Sequence, residues 1–219
     1  MAKHWIYVLR CTDDFIYVGE TKRLYRRLFE HLRHAGGQNT RTHSPLELIG
    51  LYRLDNNKDD AILNAHTCAH HEFENFVTEM LMLYSPTTWF KVRGGRYTVI
   101  HDLDFRFVRD HVSRQSEARQ KEMEKRPFCH CGLPCEKTKN PYHNYNVYKC
   151  SLHNVWPKMI TFMKRMYPDF KIRRHPCDYY YKEIPVEHEN YEFNKRTISV
   201  SRAFEKIERI EEQKSEDKQ

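Results

Sequence analysis

The sequence contains no uncharged hydrophobic run that approaches the roughly 20 residues needed to cross a membrane. Its first residues, Met1 to Trp5, do not lead into the apolar segment and small-residue cleavage site of a secretory signal. We therefore expect no membrane partner and a protein that stays inside the cell, in the nucleus or cytoplasm, or in a viral factory or elsewhere in the host cell if the source is a virus.

Glycine is scarce, with 7 residues in a chain of 219, and we find no internal repeat. A hydrophobic share of 39% with 13% aromatic residues excludes wholesale disorder. Since domains commonly run about 100 to 150 residues, this length suits one sizeable domain and a smaller one.

Acidic residues are outnumbered, because 30 Asp and Glu face 37 Lys and Arg, which gives a net charge of +7. An excess of positive charge favours contact with phosphate backbones. It is also compatible with acidic membranes or acidic partners, so charge alone does not select nucleic acid.

Cysteine is rare in the first half of the chain and clustered in the second. The seven cysteines are Cys11, Cys68, Cys129, Cys131, Cys135, Cys150 and Cys177. In an intracellular chain, clustered cysteines with histidines nearby more often bind zinc than form disulfides.

Two segments at the start of the chain are rich in aromatic and β-branched residues, as strands are. Residues 4–11 and 15–18 flank Thr12-Asp13-Asp14 and predict a hairpin. A three-residue loop pairs Tyr7 with Gly19 and places Tyr7 and Tyr17 on the same face, whereas a two-residue loop would separate them.

Helical periodicity begins at Leu24 and continues through Leu28 and Leu32, which predicts a helix that ends at Gly36-Gly37. Arg27 and His31 are four residues apart and therefore share a face of this helix. The hairpin and helix together can bring two phenols, a guanidinium and an imidazole to one place.

The remaining pattern predicts an α/β (α+β) fold with a small mixed or antiparallel sheet flanked by helices. Pro45 to Leu54 predicts a strand, Asp55 to Asp60 a loop, and residues 62–84 a core helix that stops at Ser85-Pro86. Residues 92–97 form a basic turn.

We divide the chain into a first domain at 1–104, a charged helical linker at 105–126, a zinc-binding domain at 127–185 and a C-terminal extension at 186–219. The extension carries an amphipathic helix from Ser199.

Phosphodiester cleavage needs a base to activate water, positive charge near the phosphate, and usually a divalent metal on a carboxylate. The predicted hairpin and helix at the start of the chain supply these groups except for the carboxylate. The candidates on the core helix are Glu72, Glu74 and Glu79, and weaker ones are Asp102 and Asp104.

These residues carry a resemblance to the GIY-YIG nuclease superfamily. The matching elements are Trp5-Ile6-Tyr7, Tyr17-Val18-Gly19, Arg27, His31 and the segment His71–Phe76, and Trp5 stands where the motif has its first glycine. The resemblance covers roughly residues 4 to 97.

The resemblance implies a DNA endonuclease in which Glu74 binds Mg²⁺ (or Mn²⁺), Tyr7 is the base, and Arg27 holds the scissile phosphate. It also implies that Tyr17 and His31 orient groups or transfer protons. The turn Arg93-Gly94-Gly95-Arg96 is an alternative phosphate site. Three further histidines, which we interpret as core-edge and surface residues, are His66, His70 and His71.

A second group of residues suits a structural zinc ion, which needs four nitrogen or sulfur ligands. Phe128–Cys135 supplies one turn of cysteines and Tyr148-Lys149-Cys150 a further thiol. By residue type, Cys177 and His153 both qualify as the fourth ligand.

The run from Cys129 through Cys150 resembles the GRF-type zinc finger, although the finger's Gly-Arg pair is missing and a helix-sized insertion follows Cys150. By that analogy the zinc ligands are Cys129, Cys131, Cys150 and Cys177, with Cys135 a spare thiol. The resemblance implies nucleic-acid binding, often single-stranded. Interleaved tyrosines and lysines fit stacking on bases, and they equally fit the small core of a zinc module.

The leading hypothesis is thus a Mg²⁺-dependent DNA endonuclease that acts in repair, recombination or a mobile or viral element. Its zinc module and charged helix position DNA, including branched or single-stranded DNA. One alternative is a catalytically inactive nucleic-acid-binding protein with a nuclease-like fold. Another is an interaction protein in which the helix from Ser199 forms a homodimer or partner contact.

Overall fold

A computed structural model describes residues 4–54, 69–85, 87–98, 105–140, 145–173, 177 and 179–183. The predicted loop at Asp55–Asp60, the start of the core helix, Asp102, Asp104 and the helix from Ser199 lie outside the described residues. The homodimer or partner contact through that last helix therefore stays a prediction. Among the helices that are described, none is long and apolar enough to span a membrane.

A five-stranded mixed sheet forms the centre of the fold, and a three-stranded antiparallel sheet lies in the second half of the chain. The strands in chain order are β1 (Trp5–Cys11), β2 (Ile16–Thr21), β3 (Pro45–Arg53), β4 (Val92–Arg93), β5 (Glu136–Lys139), β6 (Asn146–Lys149), β7 (Lys171–Ile172) and β8 (Tyr180–Glu183). The large sheet has the order β4-β2-β1-β3-β7 and the small one β5-β6-β8. The predicted fold class is confirmed.

The hairpin of β1 and β2 has the predicted register. Leu9 pairs with Tyr17 and Tyr7 with Gly19. The loop is Thr12–Asp14, and Asp13 and Asp14 adopt φ values of 58° and 61°. Aspartate tolerates this left-handed conformation better than most residues because its short side chain can bond locally.

Six α-helices lie within the residues that the structure describes. They are α1 (Leu24–Leu32), α2 (Gln38–Thr42), α3 (Ala69–Tyr84), α4 (Phe105–Ser113), α5 (Glu117–Lys125) and α6 (Pro157–Met166). The predicted stop of the core helix before Ser85-Pro86 is confirmed, since α3 ends at Tyr84.

The predicted end of α1 at Gly36-Gly37 is wrong. His34 adopts a φ of 55°, and the Ala35 amide donates to the Glu30 carbonyl at 2.8 Å. A left-handed residue with a bond that spans five residues back is a common helix stop. The glycines instead lead into the short helix α2.

The two faces of the large sheet bury different helices. On one face, Phe73, Phe76 and Val77 of α3 belong to the same core cluster as Ile6 and Val18. On the other face, Leu24 and Leu28 of α1 belong to a cluster with the aromatic and aliphatic side chains at alternate positions of β1. Each fully buried side chain of this size stabilises the fold by about 1.5–3 kcal/mol.

The charged stretch predicted as one helical linker consists of α4 and α5. Ser116 caps the start of α5, and its side chain accepts from the Arg119 amide. Arg119 lies 3.0 Å from Glu72 and 2.8 Å from Glu79, and buried Arg126 lies 2.6 Å from Glu122. These two arginines neutralise carboxylates inside the protein. The expectation that the charged stretch positions DNA stays a prediction, as do the domain boundaries.

The insertion between Cys150 and Cys177 packs on the first half of the chain. Strand β7 extends the large sheet, pairing Lys171 with Glu47 and Ile172 with Leu48. Met159 and Met163 of α6 join the cluster beneath α1. The rings of Phe29 and Phe162 lie 5.7 Å apart. The insertion therefore supports the helix that carries Arg27 and His31.

Candidate active site

Three buried rings meet between β1, β2 and α1. The Tyr7 hydroxyl lies 2.7 Å from His31 Nε2. The Tyr7 and Tyr17 rings are 6.2 Å apart between centroids, and the Tyr17 and His31 rings are 5.2 Å apart. The sheet register and the helix periodicity thus bring the sequence-predicted residues together.

Gly19 provides the space that the Tyr7 ring occupies. A Cβ at this position would lie 2.4 Å from the Tyr7 hydroxyl oxygen and 2.9 Å from Tyr17 Cε1. Such distances are well inside van der Waals contact, so a side chain here would displace the phenol. The glycine is required by this close approach rather than by its backbone conformation.

A chain of hydrogen bonds assigns the protonation of His31. The Thr40 hydroxyl lies 3.0 Å from the Gly37 carbonyl oxygen, to which it donates its one hydrogen. His31 Nδ1, 2.7 Å from the same hydroxyl oxygen, is then the donor to Thr40. Nε2 is left as an acceptor for the Tyr7 hydroxyl. Burial, followed by the charge of Arg27, lowers the pKa of His31 to about 4, which leaves the imidazole neutral at pH 7.

Arg27 lies at the boundary between this buried cluster and solvent. Its Nε donates to the Tyr7 hydroxyl at 3.3 Å, and its Nη1 donates to Glu30 at 3.0 Å. Burial raises the pKa of Tyr7 well above 10, and the neighbouring Arg27 only partly opposes this. The phenol is therefore neutral at pH 7, with a cation in contact with its oxygen.

Glu74 approaches from the opposite face of the sheet, on α3. One carboxylate oxygen accepts from the Gly95 amide at 2.9 Å. Ligand atoms of Glu74, Glu20 and His71 all lie within 4.8 Å of one another. His71 Nδ1 is 3.2 Å from a Glu20 oxygen. Strand β4 pairs with β2 at Ile16 and Tyr17. Glu20 lies beyond this pairing, so the three potential ligands lie beside the later part of β2.

The electrostatics of this group suit a divalent cation. Burial, with the charge of Glu20 as a further cause, raises the pKa of Glu74 to about 7. Carboxylate oxygens are the ligands that Mg²⁺ and Mn²⁺ prefer, and a cation would offset the repulsion between the two carboxylates. The residues present therefore fit the predicted metal at Glu74.

The other carboxylates considered on α3 have structural partners. Glu79 is buried and accepts from Tyr97 at 3.0 Å and from Arg119 at 2.8 Å. Glu72 pairs with Arg96 and Arg119. Of the three candidates on α3, the geometry leaves Glu74 facing Glu20.

Sequence reasoning missed Glu20 and did not connect His71 to the site. The His71 side chain is 65% exposed, as a surface histidine would be, yet it points to Glu20. Two signals were available, because His71 precedes Glu74 by one helical turn and Glu20 directly follows Gly19.

The backbone amides of the basic turn after β4 donate to side chains of α3. The Gly95 and Arg96 amides donate to Glu74 and Asn75 at 2.9 Å each. Arg93 donates to the carbonyl oxygens of Phe90 and Val92. These amides position Glu74, and nothing in their arrangement favours the alternative phosphate site.

A second candidate metal site consists of four cysteines, Cys129, Cys131, Cys150 and Cys177, whose sulfurs lie within 4.8 Å of one another. The Cys131 and Cys150 sulfurs are 3.9 Å apart. Tetrahedral zinc with Zn–S bonds of about 2.3 Å separates its sulfurs by about 3.8 Å. Cys135 and His153, the other ligand candidates, are not in this group of four.

The thiols are crowded enough to oppose their own ionisation. Burial and the nearby Cys150 and Cys177 raise the pKa of Cys131. A divalent cation would reverse this effect, because metal-bound thiols lose their protons. The donor set and spacing thus fit zinc.

Comparison with known proteins places the first of these sites in a family. The family described as the GIY-YIG catalytic domain matches residues 3–79. A UPF0213 protein of Natronomonas pharaonis is 38% identical over 65 residues, which are 30% of this chain and 75% of the relative. A UPF0213 protein of Cupriavidus necator is 41% identical over 51 residues, 23% of this chain and 55% of the relative.

A further UPF0213 protein, of Lactococcus lactis subsp. cremoris, is 37% identical over 59 residues, 27% of this chain and 60% of the relative. The names of these relatives state no activity. No solved structure matches the chain. The similarity to these relatives thus covers about a quarter to a third of this chain and about half to three quarters of their own length.

The raised pKa of Glu74 predicts a stability effect that depends on pH. Since the folded pKa of about 7 exceeds the unfolded value of about 4.3, ionising Glu74 destabilises the fold increasingly as pH rises from about 4 to 7. Without added Mg²⁺, Glu74→Gln should stabilise the protein by up to about 3 kcal/mol at pH 8 and about 1 kcal/mol at pH 5. Urea unfolding at both pH values measures this.

Glu72→Gln is the matched control, because Glu72 lies on the same helix and is paired with Arg96 and Arg119. It should destabilise the protein at pH 8. An equal loss of stability in both variants would contradict the proposed environment of Glu74.

The cysteine cluster predicts one tightly bound zinc ion per chain, measurable by elemental analysis of the purified protein. Cys150→Ser should reduce the zinc content and lower the melting temperature, because it removes one of four ligands. Cys135→Ser, which changes a buried thiol outside the group of four, should retain the zinc. Loss of zinc from the Cys135 variant alone would show that the ligand set is wrong.

Proposed function

Because the chain belongs to the GIY-YIG family through residues 3–79, and so carries a nuclease domain, we propose that it is a Mg²⁺- or Mn²⁺-dependent DNA endonuclease. The observation that carries the proposal is that two groups adjoin β2 and that one member of each, Arg27 and Glu20, lines the same cavity. One is the Tyr7–His31 pair with Arg27, and the other is Glu74 with Glu20.

The first group supplies a base for the attacking water. Tyr7 takes a proton from the water while its own proton passes to His31 Nε2, to which the hydroxyl already donates at 2.7 Å. The imidazolium formed keeps its bond from Nδ1 to Thr40. The lowered pKa of His31 keeps this nitrogen free of a proton before the reaction. The water oxygen forms the new bond to phosphorus as the bond to the leaving oxygen breaks.

Arg27 is the residue that contacts the phosphate. Its side chain is 31% exposed, and its bonds to Tyr7 and Glu30 orient the guanidinium at the border of the buried cluster. A guanidinium in this position stabilises the negative charge that develops on the phosphate oxygens. Its contact with Tyr7 also favours the phenolate during proton transfer.

Glu74 and Glu20 would hold the divalent cation, with His71 beside them. Such a cation neutralises charge on the phosphate and stabilises the leaving oxygen when bound. Tyr17, buried against both His31 and Tyr7, excludes water from the proton path and fixes the orientation of the rings.

We assign the cysteine group a structural zinc ion, which would join Cys177 to the three cysteines that precede the insertion. Through α6 and β7 this part supports α1 and extends the large sheet. Its tyrosines and lysines support a role in DNA binding. By analogy, the pairing of a nuclease domain with such a module favours repair, recombination or a mobile or viral element.

The alternative, a nucleic-acid-binding protein without activity, predicts that the paired groups serve no purpose. Two adjacent carboxylates, one of them buried, cost stability, and a protein without activity has no need to keep them. Their presence together supports the enzyme.

Cleavage of supercoiled plasmid and of a branched oligonucleotide tests the proposal. Wild-type protein should cut with Mg²⁺ and not with EDTA, and Glu74→Gln should reduce the rate by about 100-fold or more while DNA affinity stays within a few-fold. Glu72→Gln, compared below its melting temperature, should retain most activity. Binding by the wild type without cutting of any DNA would favour the inactive alternative.

A further inference from the structure

We propose that a cavity beside the active site binds an unpaired nucleotide of the substrate strand, so that DNA with a single-stranded arm is preferred over plain duplex. The inference rests on the proposed function, because it assigns the substrate class of the same site. The cavity has a volume of about 830 Å³ and lies between the start of α1, the end of β3 and the segment before α6. Pockets for small ligands commonly measure about 300–1,000 Å³.

Aromatic rings form one part of the cavity lining. They belong to Trp5, Tyr25 and Trp156. The Trp5 and Trp156 rings lie 5.7 Å apart, and the Tyr25 and Trp156 rings 6.0 Å apart at 82°. Tyr25 and Trp156 are only half-buried, so part of each ring is open to a ligand. A nucleobase can stack on rings of this kind whatever its sequence.

Positive side chains form the other part. Lys22 and Arg23 are exposed at the cavity, and the Arg53 guanidinium lies 5.9 Å from the centre of the Trp5 ring. Among the described residues that line the cavity there is no carboxylate. Aromatic rings beside positive side chains fit a base and its phosphate better than an acidic peptide, whose carboxylates do not stack on rings.

The cavity leads to the catalytic residues. A neighbouring cavity of about 320 Å³ shares Lys22, Arg23 and Arg26 with it and is also lined by Arg27 and Glu20. A strand whose phosphate contacts Arg27 can therefore continue past these shared cations towards the tryptophans. This continuity distinguishes the cavity from an isolated patch of basic surface.

The proposed nucleotide site gives a role to two tryptophans that the catalytic mechanism does not use. Trp5 occupies the position where the motif has its first glycine, and its ring forms the wall of the cavity against Trp156. Trp156 comes from the insertion between the zinc-site cysteines, directly before α6. The cavity thus exists only because the insertion packs on the nuclease domain.

The test compares wild type, Trp156→Ala and Phe162→Ala, each with zinc content and melting temperature measured. Phe162 is a matched control, since it is an aromatic residue of α6 that contacts Tyr25 and Phe29 and does not line the cavity. Affinity for a ten-nucleotide oligothymidylate is measured by fluorescence anisotropy without added Mg²⁺. Cleavage is measured on a duplex and on the same duplex with a single-stranded arm.

We expect Trp156→Ala to weaken binding of the oligothymidylate by about 10-fold or more and to bring the ratio of arm-bearing to duplex cleavage close to one. Phe162→Ala should keep both properties. Lys22→Gln changes an exposed side chain and should reduce the slope of log affinity against log salt by about 0.7.

Oligothymidylate affinity that is the same in wild type, Trp156→Ala and Lys22→Gln would overturn the inference. If wild type cuts DNA and this result is obtained, the cavity assignment fails and the proposed nuclease stands. If wild type cuts no DNA but Trp156→Ala binds oligothymidylate more weakly than wild type does, the proposed nuclease activity fails and the cavity stands as a binding site.

Discussion

The hydrogen bond between the Tyr7 hydroxyl and His31 Nε2 places two polar groups in a layer that is otherwise apolar, and the surrounding structure has to satisfy both. A buried imidazole left with an unpaired Nδ1–H would cost about 1–3 kcal/mol. Thr40 supplies the missing acceptor, which explains why the short helix α2 lies against α1. Gly36 allows this approach, because a Cβ there would lie 2.4 Å from His31 Nδ1.

The position of Tyr7 also bears on how the two faces of the sheet are built around β2. Tyr7 points towards α1, whereas Glu74 lies on α3 across the sheet, and a side chain at position 19 would displace the Tyr7 ring. Glycine at this point lets the phenol lie against the strand, and the turn at Gly95 fixes Glu74 on the other side. Each half of the proposed site, the carboxylates on one face and the phenol on the other, is thus held by its own core cluster.

Local patterns predicted the parts of the site that depend on short range. Strand alternation and a three-residue loop were sufficient to place Tyr7 and Tyr17 on one face, and helical spacing joined Arg27 to His31. The cysteine group contains the four residues selected by resemblance, although its metal stays a prediction.

Features that depend on contacts between residues far apart in the sequence were not predicted. Glu20 meets His71 through the packing of α3 on β2, and no sequence periodicity records that contact. Arg119 and Arg126 appear as solvated charges in the sequence, yet they are buried because carboxylates from α3 and α5 neutralise them. The docking of α6 on α1 joins residues more than a hundred positions apart, which local pattern cannot specify.

The central claim is that the Tyr7 hydroxyl accepts the proton of the attacking water. The most direct measurement is single-turnover cleavage by Tyr7→Phe at saturating DNA and Mg²⁺, with metal affinity and melting temperature compared with wild type. The account predicts a rate lower by about 100-fold or more, with Mg²⁺ affinity within a few-fold of wild type. A Tyr7→Phe protein that cuts DNA at close to the wild-type rate would contradict it.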